Sequence, residues 1–231
     1  MRKSFCSLIS FLLFSLLACG AASAHWYVAP TGNDANNGSK RKPLKTIAAS
    51  LQRVNPGDTV FLREGSYREF VVPTRSGKPG KMITLKSYPG ETAKIDGSDL
   101  YIKGWGNALV QVNNIDYMQF ENLHICHAHD SENNTDPEGI YITGTSGNIT
   151  FRGCKVYDIK NDCPLVDAKG DWRSAHAILV LGTDDNTPIR NLLIEKCEIF
   201  EIHSGTSEAF TLAGNVVDFT IQDNELREEI I

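Results

Sequence analysis

The sequence has no region in which positive charge is concentrated. Its 23 Lys and Arg side chains are scattered and are outnumbered by 28 Asp and Glu, which gives the chain a net charge of −5 at pH 7. Proteins that bind nucleic acid need a basic patch, because Lys and Arg must neutralise the phosphates. We therefore expect no nucleic-acid partner for this chain.

A long apolar run is also missing. The run from Leu8 to Ala18 is too short to cross a bilayer, so we expect no transmembrane segment. Two basic residues precede it and Ala22-Ser23-Ala24 follows it, which is the pattern of a secretory signal peptide over residues 1–24. This pattern predicts a secreted or periplasmic protein. The alternative is a lipid anchor through Cys19, since the residues before it resemble a bacterial lipobox.

Cysteines are few, and no two of them stand as a Cys-x-x-Cys pair, the spacing typical of structural zinc sites. Four of the six follow the predicted signal peptide, and disulfides between them are open in an oxidising compartment. These four are Cys126, Cys154, Cys163 and Cys197. Their spacing does not give the pairing, and we consider both Cys154 with Cys197 and Cys126 with Cys163.

The chain also lacks a sustained helical period, and two short strand-like patterns recur instead. The first has apolar residues two apart followed by Gly, at Ile140 to Gly144, Ile178 to Gly182 and Phe210 to Gly214, with a poorer copy at Leu109 to Asn113. The second aligns into two apolar columns. One column contains Phe120, Phe151, Ile194 and Ile221, and the other contains Ile125, Val156, Ile199 and Leu226. The steps along the first column are 31, 43 and 27 residues.

A constant local pattern with variable spacing indicates a fixed cross-section with loops of different length. We therefore predict an all-β fold, a parallel β-helix with about three short strands per turn, over residues 25–231. Residues 25–58 are expected to form an N-terminal strand and a short capping helix, because Pro43 to Val54 is amphipathic. Residues 59–231 are expected to form the coils. We expect the protein to be a monomer.

The N-terminal third of the domain carries a specific resemblance. The stretches WYVAPTGNDANNGS, PLKTIAASLQRVNPGDTVFLREGSYRE and SGKPGKMITLKSYPGETAKIDGS resemble the start of secreted right-handed parallel β-helix proteins of the pectin-lyase-like superfamily. They are most similar to bacterial members related to pectate lyases of polysaccharide lyase family nine. The resemblance implies an acidic uronate polysaccharide as partner, cleaved by calcium-assisted β-elimination. Such relatives run through more coils and end in a cap, so we expect this chain to be an N-terminal fragment. The family's catalytic lysine matches no position here.

Polar loops are predicted from His127 to Glu138, from Asp158 to Ser174 and from Glu201 to Ser207, and the second is the longest. It offers four carboxylates, the hard oxygen ligands that calcium prefers: Asp158, Asp162, Asp167 and Asp171. Its basic residues are candidates for removing the C5 proton of a uronate and for stabilising charge: Lys160, Lys169 and Arg173. A lysine can act as the base only if its surroundings lower its pKa from about 10.4, which calcium would have to achieve against the nearby carboxylates. The alternative is a solvated acidic loop.

Three polar residues fall in one column of the predicted coils. Glu138, His176 and Glu208 each stand two residues before the first apolar position of a strand, which places the two carboxylates about 9–10 Å apart. That separation is at the outer limit for an inverting glycosidase, so a metal-independent glycoside hydrolase is the second hypothesis, unless the three residues are structural. Tyr141 and Trp172 are the candidate sugar-stacking platform. The third hypothesis is a non-catalytic, glycan-binding β-helix at the cell surface.

Overall fold

The computed structural model describes residues 23–102, 106–132, 134–164 and 172–230. Residues 1–22, and with them Cys19, lie outside the described residues. Three predicted site residues also lie outside them: Asp167, Lys169 and Asp171.

Within the described ranges the chain is almost entirely β-structure, with seventeen strands and one short helix. The elements in chain order are β1 (His25–Val28), α1 (Ile47–Leu51), β2 (Thr59–Leu62), β3 (Gly65–Tyr67), β4 (Ile83–Ser87), β5 (Ala93–Asp96), β6 (Ala108–Asn113), β7 (Asp116–Glu121), β8 (His124–Asp130), β9 (Glu138–Thr143), β10 (Gly147–Arg152), β11 (Lys155–Asn161), β12 (His176–Gly182), β13 (Ile189–Glu195), β14 (Glu198–His203), β15 (Phe210–Gly214), β16 (Val216–Gln222) and β17 (Glu225–Ile230).

The strands form three parallel sheets. Sheet 1 contains β1, β2, β4, β7, β10, β13 and β16, sheet 2 contains β3, β5, β8, β11, β14 and β17, and sheet 3 contains β6, β9, β12 and β15. From β4 onward the chain visits sheets 1, 2 and 3 in turn, and each strand pairs with the strand of the next turn. This confirms the predicted parallel β-helix with three strands per coil.

The register confirms the predicted columns. Phe151 pairs with Phe120 and with Ile194 in sheet 1, and Val156 pairs with Ile125 and Ile199 in sheet 2. In sheet 3, the repeat predicted at Leu109 to Asn113 is out of register by one residue, because Val110, and not Leu109, pairs with Ile140. Two consecutive inward residues, Leu109 and Val110, are both fully buried there, so strand alternation alone gave the wrong partner.

The largest buried side chains of the core are two stacked rings. Phe120 and Phe151 have ring centroids 4.5 Å apart with an angle of 5° between the planes, and both are fully buried. Stacking of identical residues in register fills the same space in successive coils, so each coil covers the apolar face of the one before it.

The helix α1 is shorter than the amphipathic segment that predicted it. It begins after Thr46, whose hydroxyl accepts a hydrogen bond from the amide of Ala49 at 3.1 Å, as an N-cap residue does. Ile47 and Leu51 on its inner face belong to the core, and the helix contacts β1, the edge strand of sheet 1. Its role as a cap stays a prediction.

Three strands of sheet 2 extend beyond the points where loops were predicted. β8, β11 and β14 end at Asp130, Asn161 and His203, although the sequence placed loops from His127, Asp158 and Glu201 onward. The reason is a left-handed residue inside each strand. His127, Asp158 and Glu201 have φ of 62°, 53° and 55°. After such a residue, the next side chain that points into the core is three positions further along the strand instead of two. The alternating pattern therefore breaks while the strand continues.

The four described cysteines are buried, reduced thiols. Cys154 and Cys197 follow the corner between sheets 1 and 2 and interact with one another, and this contact together with burial raises the pKa of the Cys154 thiol. In the next coil Asn224 takes the same place. Its side chain accepts from the amide of Cys197 and donates to the carbonyl of Ile194, both at 2.9 Å. These residues therefore have a structural role at the corner.

The stacked rings predict a specific loss of stability. Phe151→Ala should lower the free energy of unfolding by about 3–5 kcal/mol, because it leaves a cavity between two coils that cannot collapse. The same substitution at Phe219, which is 50% exposed, is the matched control and should change it by less than about 1 kcal/mol. Urea unfolding of the two variants measures both values, and equal losses would contradict the importance of the stack.

Candidate functional site

Sheet 2 presents a row of basic side chains on its outer face. Lys160 of β11 is in register with His129 of β8 and with His203 of β14. Strands in register lie about 4.8 Å apart, so these three residues, which we call the basic row, follow one another along the axis of the β-helix. Their side chains are 39%, 26% and 38% exposed in the order His129, Lys160, His203, which leaves all three accessible from solvent.

Two carboxylates lie between the members of the basic row. Asp158 contacts His129 Nε2 at 3.0 Å and Lys160 Nζ at 3.4 Å. Asp162 contacts Lys160 Nζ at 3.8 Å and His203 Nδ1 at 3.4 Å. Since each imidazole has one nitrogen directed at a carboxylate, the other nitrogen is left as the proton acceptor of a neutral ring.

A cleft of about 290 Å³ adjoins the row at the end of β8. The residues that line it are Leu100, Tyr101, Ile102, His129, Asp130, Ser131, Glu132 and Asp162. A larger cleft of about 400 Å³ lies near β3, but its basic residue, Arg63, is paired with Glu91 of the same cleft at 2.6 Å. The cleft beside the basic row is therefore the better candidate for a ligand.

Of the four predicted calcium ligands, the structure describes Asp158 and Asp162. Calcium takes six to eight oxygen ligands, and the space between Asp158 and Asp162 is taken by the ammonium group of Lys160. Among the described residues, the one cluster with metal-ligand spacing combines Asp96, Cys126 and His127, which offers nitrogen and sulfur rather than a set of oxygens. Its histidine donates to Asp96 at 2.8 Å.

A second polar cluster lies where sheet 2 passes into sheet 3. Glu138 and His176 are in register at the starts of β9 and β12, as the sequence predicted. His176 Nδ1 is 2.8 Å from Asp136 Oδ1, and His176 Nε2 is 2.8 Å from Ser207 Oγ. Burial and the nearby charge of Asp136 raise the pKa of Glu138 to about 9, so its carboxyl group is protonated at neutral pH.

Glu208 does not join the buried column. The amides of Ala177 and Ile178 both donate to the carbonyl of Ala209, at 2.9 and 3.2 Å, and this irregular pairing interrupts the ladder just before β15. Glu208 is consequently exposed, while Glu138 is fully buried. The two carboxylates predicted as a pair therefore stand in different environments.

The remaining predicted residues are not gathered at one place. Arg173 donates to the carbonyl of Cys163 at 2.6 Å, and its Nε is buried without a hydrogen-bond partner among the described residues. Trp172 is 36% exposed, and its backbone exchanges hydrogen bonds with Asn134. Tyr141 lies on the outer side of sheet 3 between Gln111 and Leu179. The described contacts do not join the two aromatic rings.

Sequence reasoning missed the histidines of sheet 2 and the partners of His176. His127 and His129 were treated as loop residues, although their alternation around the small residue Ala128 was a strand signal. No sequence pattern indicated Asp136 and Ser207, because each lies in a loop and contacts His176 only where that loop folds back.

Three parallel sheets wound in register define this chain as a parallel β-helix protein. A family model described as "Pel9A-like, right handed beta helix region" matches residues 26–211. The chain belongs to this family, which confirms the right-handed, pectate-lyase-like β-helix inferred from its N-terminal third.

Curated relatives are longer than this chain. An uncharacterized protein of Bacillus subtilis, YwoF, is 32% identical over 202 residues, which cover 87% of this chain and 41% of that protein. Pectate lyase PEL9 of Emericella nidulans is 25% identical over 147 residues, which cover 59% and 34%. Pectate lyase L of Dickeya dadantii is 36% identical over 77 residues, which cover 33% and 16%. The chain thus spans less than half the length of these relatives.

Solved structures share the fold across different activities. The GH136 lacto-N-biosidase from Eubacterium ramulus superposes with a TM-score of 0.61 at 16% identity, covering 80% of this chain and 35% of that one. Pectate lyase Pel9A superposes with a TM-score of 0.53 at 18% identity, covering 80% and 51%. Identities this low show the common fold alone. In the described part of the chain, no helix has the length and apolar character needed to cross a membrane.

The buried carboxyl group predicts an unusual dependence of stability on pH. Because the pKa of Glu138 is raised to about 9 in the folded chain and is about 4.3 in the unfolded chain, the folded state binds one more proton between these values. The free energy of unfolding should therefore fall as the pH rises through this window.

Glu138→Gln replaces the titrating carboxyl group by a neutral amide and should stabilise the fold by about 5 kcal/mol at pH 8, with the difference vanishing towards pH 4. Urea unfolding at pH 4, 6 and 8 measures the slope, with Glu64→Gln on the exposed surface as the control. A slope that Glu138→Gln leaves unchanged would show that Glu138 is ionised in the fold.

Proposed function

We propose that this chain binds an acidic, uronate-containing polysaccharide along the basic row and cleaves it by β-elimination. The observation that carries the proposal is the register of His129, Lys160 and His203 in three adjacent coils. A polymer lying along the axis of the β-helix would meet one basic side chain per coil, about every 4.8 Å.

A comparison with sheet 1 supports a binding role for the row. On the outer face of sheet 1, charges of opposite sign alternate from coil to coil, and each is neutralised by its neighbour. These residues are Lys86, Glu121, Arg152 and Glu195. The basic row instead stacks basic groups in three adjacent coils, and the carboxylates that contact them, Asp158 and Asp162, lie in β11 and just after it. A polyanion would therefore meet one basic group in each coil of sheet 2, which the alternating charges of sheet 1 do not offer.

The chemistry of elimination needs a base and a positive charge side by side. Lys160 would neutralise the uronate carboxylate, because an ammonium group held between two carboxylates is poorly suited to accept a proton. His129, oriented by Asp158, would take the C5 proton on its Nδ1. The electron pair of the C–H bond then forms the C4–C5 double bond, the C4–O bond breaks, and a water molecule protonates the departing glycosyl oxygen.

Calcium was expected to neutralise the uronate, and Asp158 and Asp162 are the described carboxylates that were expected to bind it. Lys160 lies between them, so no step is derived through the ion. The elimination assay described below also tests calcium. If a chelator abolishes the activity, a bound cation, and not Lys160, neutralises the uronate.

The two alternatives are distinguished by the products. Hydrolysis by Glu138 and Glu208 has less support, because Glu138 is fully buried and a substrate would not reach it. Hydrolysis would release new reducing ends without an unsaturated product. A non-catalytic glycan-binding protein would retain the polysaccharide and form neither product.

The decisive measurement is the ultraviolet absorbance of unsaturated uronate, with pectate, alginate and glycosaminoglycans as substrates. Lys160→Met should lower kcat/KM by about 100-fold or more, because it removes the charge that stabilises the developing carbanion. His129→Gln should lower kcat by about the same factor with little change in KM. Lys155→Met, at the other end of β11 and paired with Glu198 at 2.8 Å, is the matched control and should keep full activity.

Lys169→Met tests the other lysine predicted from the sequence. Loss of activity in Lys169→Met with full activity in Lys160→Met would contradict the proposed role of the basic row. If the ultraviolet absorbance does not rise with any of the three polysaccharides, elimination is rejected. Retention of the chain on immobilised pectate would then favour the glycan-binding protein.

A further inference from the structure

We propose that Asp136, His176 and Ser207 form the catalytic relay of a serine esterase that acts on carboxylic esters. The three residues come from three successive coils, and each stands in or beside a link between sheet 2 and sheet 3. The proposal concerns a site distinct from the basic row and does not depend on elimination taking place there.

The three side chains form an unbroken chain of hydrogen bonds. Asp136 Oδ1 lies 2.8 Å from His176 Nδ1, and His176 Nε2 lies 2.8 Å from Ser207 Oγ. A carboxylate on Nδ1 fixes the tautomer in which Nε2 has a lone pair, which is the nitrogen that must accept the proton of the serine. The order of contacts is therefore the one that nucleophilic catalysis requires.

Burial is graded along the relay. Asp136 is 2% exposed and His176 is 5% exposed, while Ser207 is partly exposed. The nucleophile is thus the member that a substrate can reach, and the carboxylate is shielded from water. Glu138, which is in register with His176, has a pKa of about 9 and is neutral at pH 7. Asp136 therefore faces the imidazole without a second buried negative charge.

Backbone contacts fix the segment that carries the serine. The amide and the hydroxyl of Thr206 both donate to the carbonyl of Arg173, at 2.9 and 2.6 Å, and the amide of Ser207 donates to the carbonyl of Ser204 at 3.2 Å. On the other side of the relay, the amide of His176 donates to the carbonyl of Pro137 at 3.1 Å. The nucleophile and its base are therefore held together before a substrate binds, as catalysis by positioning requires.

The reaction balances with water as the only other reactant. His176 Nε2 takes the hydroxyl proton as Ser207 Oγ bonds to the carbonyl carbon of the ester. The bond from that carbon to the alcohol oxygen then breaks, and His176 returns the proton to the alcohol. Water, deprotonated by the same nitrogen, hydrolyses the acyl-serine and restores the hydroxyl group.

A second Ser, His and Asp set in the same molecule shows what the relay requires. Ser98 Oγ and Asp96 Oδ1 both contact Nδ1 of His127, at 3.1 and 2.8 Å. Because Nδ1 donates its proton to Asp96, it has no lone pair with which to accept the proton of Ser98, whose hydroxyl donates to Asp96 at 2.5 Å. Ser98 is therefore a matched control, with the same residue types and a contact geometry that does not activate the serine.

Glu208 makes a measurable contribution to the same site. Its Oε2 lies 3.1 Å from Ser207 Oγ and competes with His176 for the single hydroxyl proton. Removal of this acceptor in Glu208→Met should raise the reactivity of Ser207 by up to several-fold. A serine with a purely structural role would show no reactivity to change.

The experiment treats the whole chain with a fluorophosphonate, which forms a P–O bond to an activated serine and expels fluoride. Intact mass and peptide mapping should find one modification, on Ser207. Hydrolysis of p-nitrophenyl acetate should fall by at least about 100-fold in Ser207→Ala and in Asp136→Asn, and stay unchanged in Ser98→Ala. Because the label is mapped on the unaltered chain, the test holds even where a variant fails to fold.

Polysaccharide substrates identify the class of ester. Acetate released from an acetylated polysaccharide indicates acyl esters, and methanol released from a methyl-esterified polyuronate indicates uronate esters. No label on Ser207 in the folded chain, or equal labelling and ester hydrolysis in Ser207→Ala, would overturn the proposal. Elimination measured on Ser207→Ala should match the unaltered chain, so failure of one site is distinguishable from failure of the other.

Discussion

The backbone hydrogen bonds between parallel strands of successive coils are the constraint on which the rest of the structure depends. They hold Phe151 directly against Phe120, and Lys160 directly beside His129 and His203. Because every strand pairs in register with the next turn, any residue type that recurs at one position of the coil becomes a continuous row in space. Apolar rows make the core, the charge-alternating row of sheet 1 neutralises itself, and the basic row follows the outer face of sheet 2.

The left-handed residues modify this rule in a way that bears on function. An L-residue in that conformation costs about 1 kcal/mol or more, yet His127, Asp158 and Glu201 adopt it in three adjacent coils. Equivalent residues occur in sheet 1, where Asn148 and Asn191 carry no comparable chemistry, so the conformation belongs to the coil and not to the site. Its effect in sheet 2 is to bring Asp158 alongside the basic row, within reach of both His129 and Lys160.

The sequence predicts the contacts that depend on strand register, and it does not predict the contacts that depend on the conformation of loops. The columns through Phe151 and Val156 follow from local alternation, because equal patterns must stack. The ends of β8 and β11 were placed too early, because one left-handed residue breaks the alternation without ending the strand. Lys160 was recognised together with Asp158, which lies in the same strand, and with Asp162, which directly follows that strand. Ser207 was not, because its contact with His176 depends on an irregular connection that no periodic pattern describes.

The two proposed chemistries are related by the substrate they would share. A uronate whose carboxylate is methylated offers no charge to Lys160 and binds the basic row weakly, whereas the free carboxylate is the form that an ammonium group recognises. Hydrolysis of such an ester produces this carboxylate and releases only methanol. The relay through His176 and the basic row approach the same corner of the coil, one from the loops and the other from the strand ends. On a polysaccharide that reached both sites, the first reaction would thus create the group that the second site recognises.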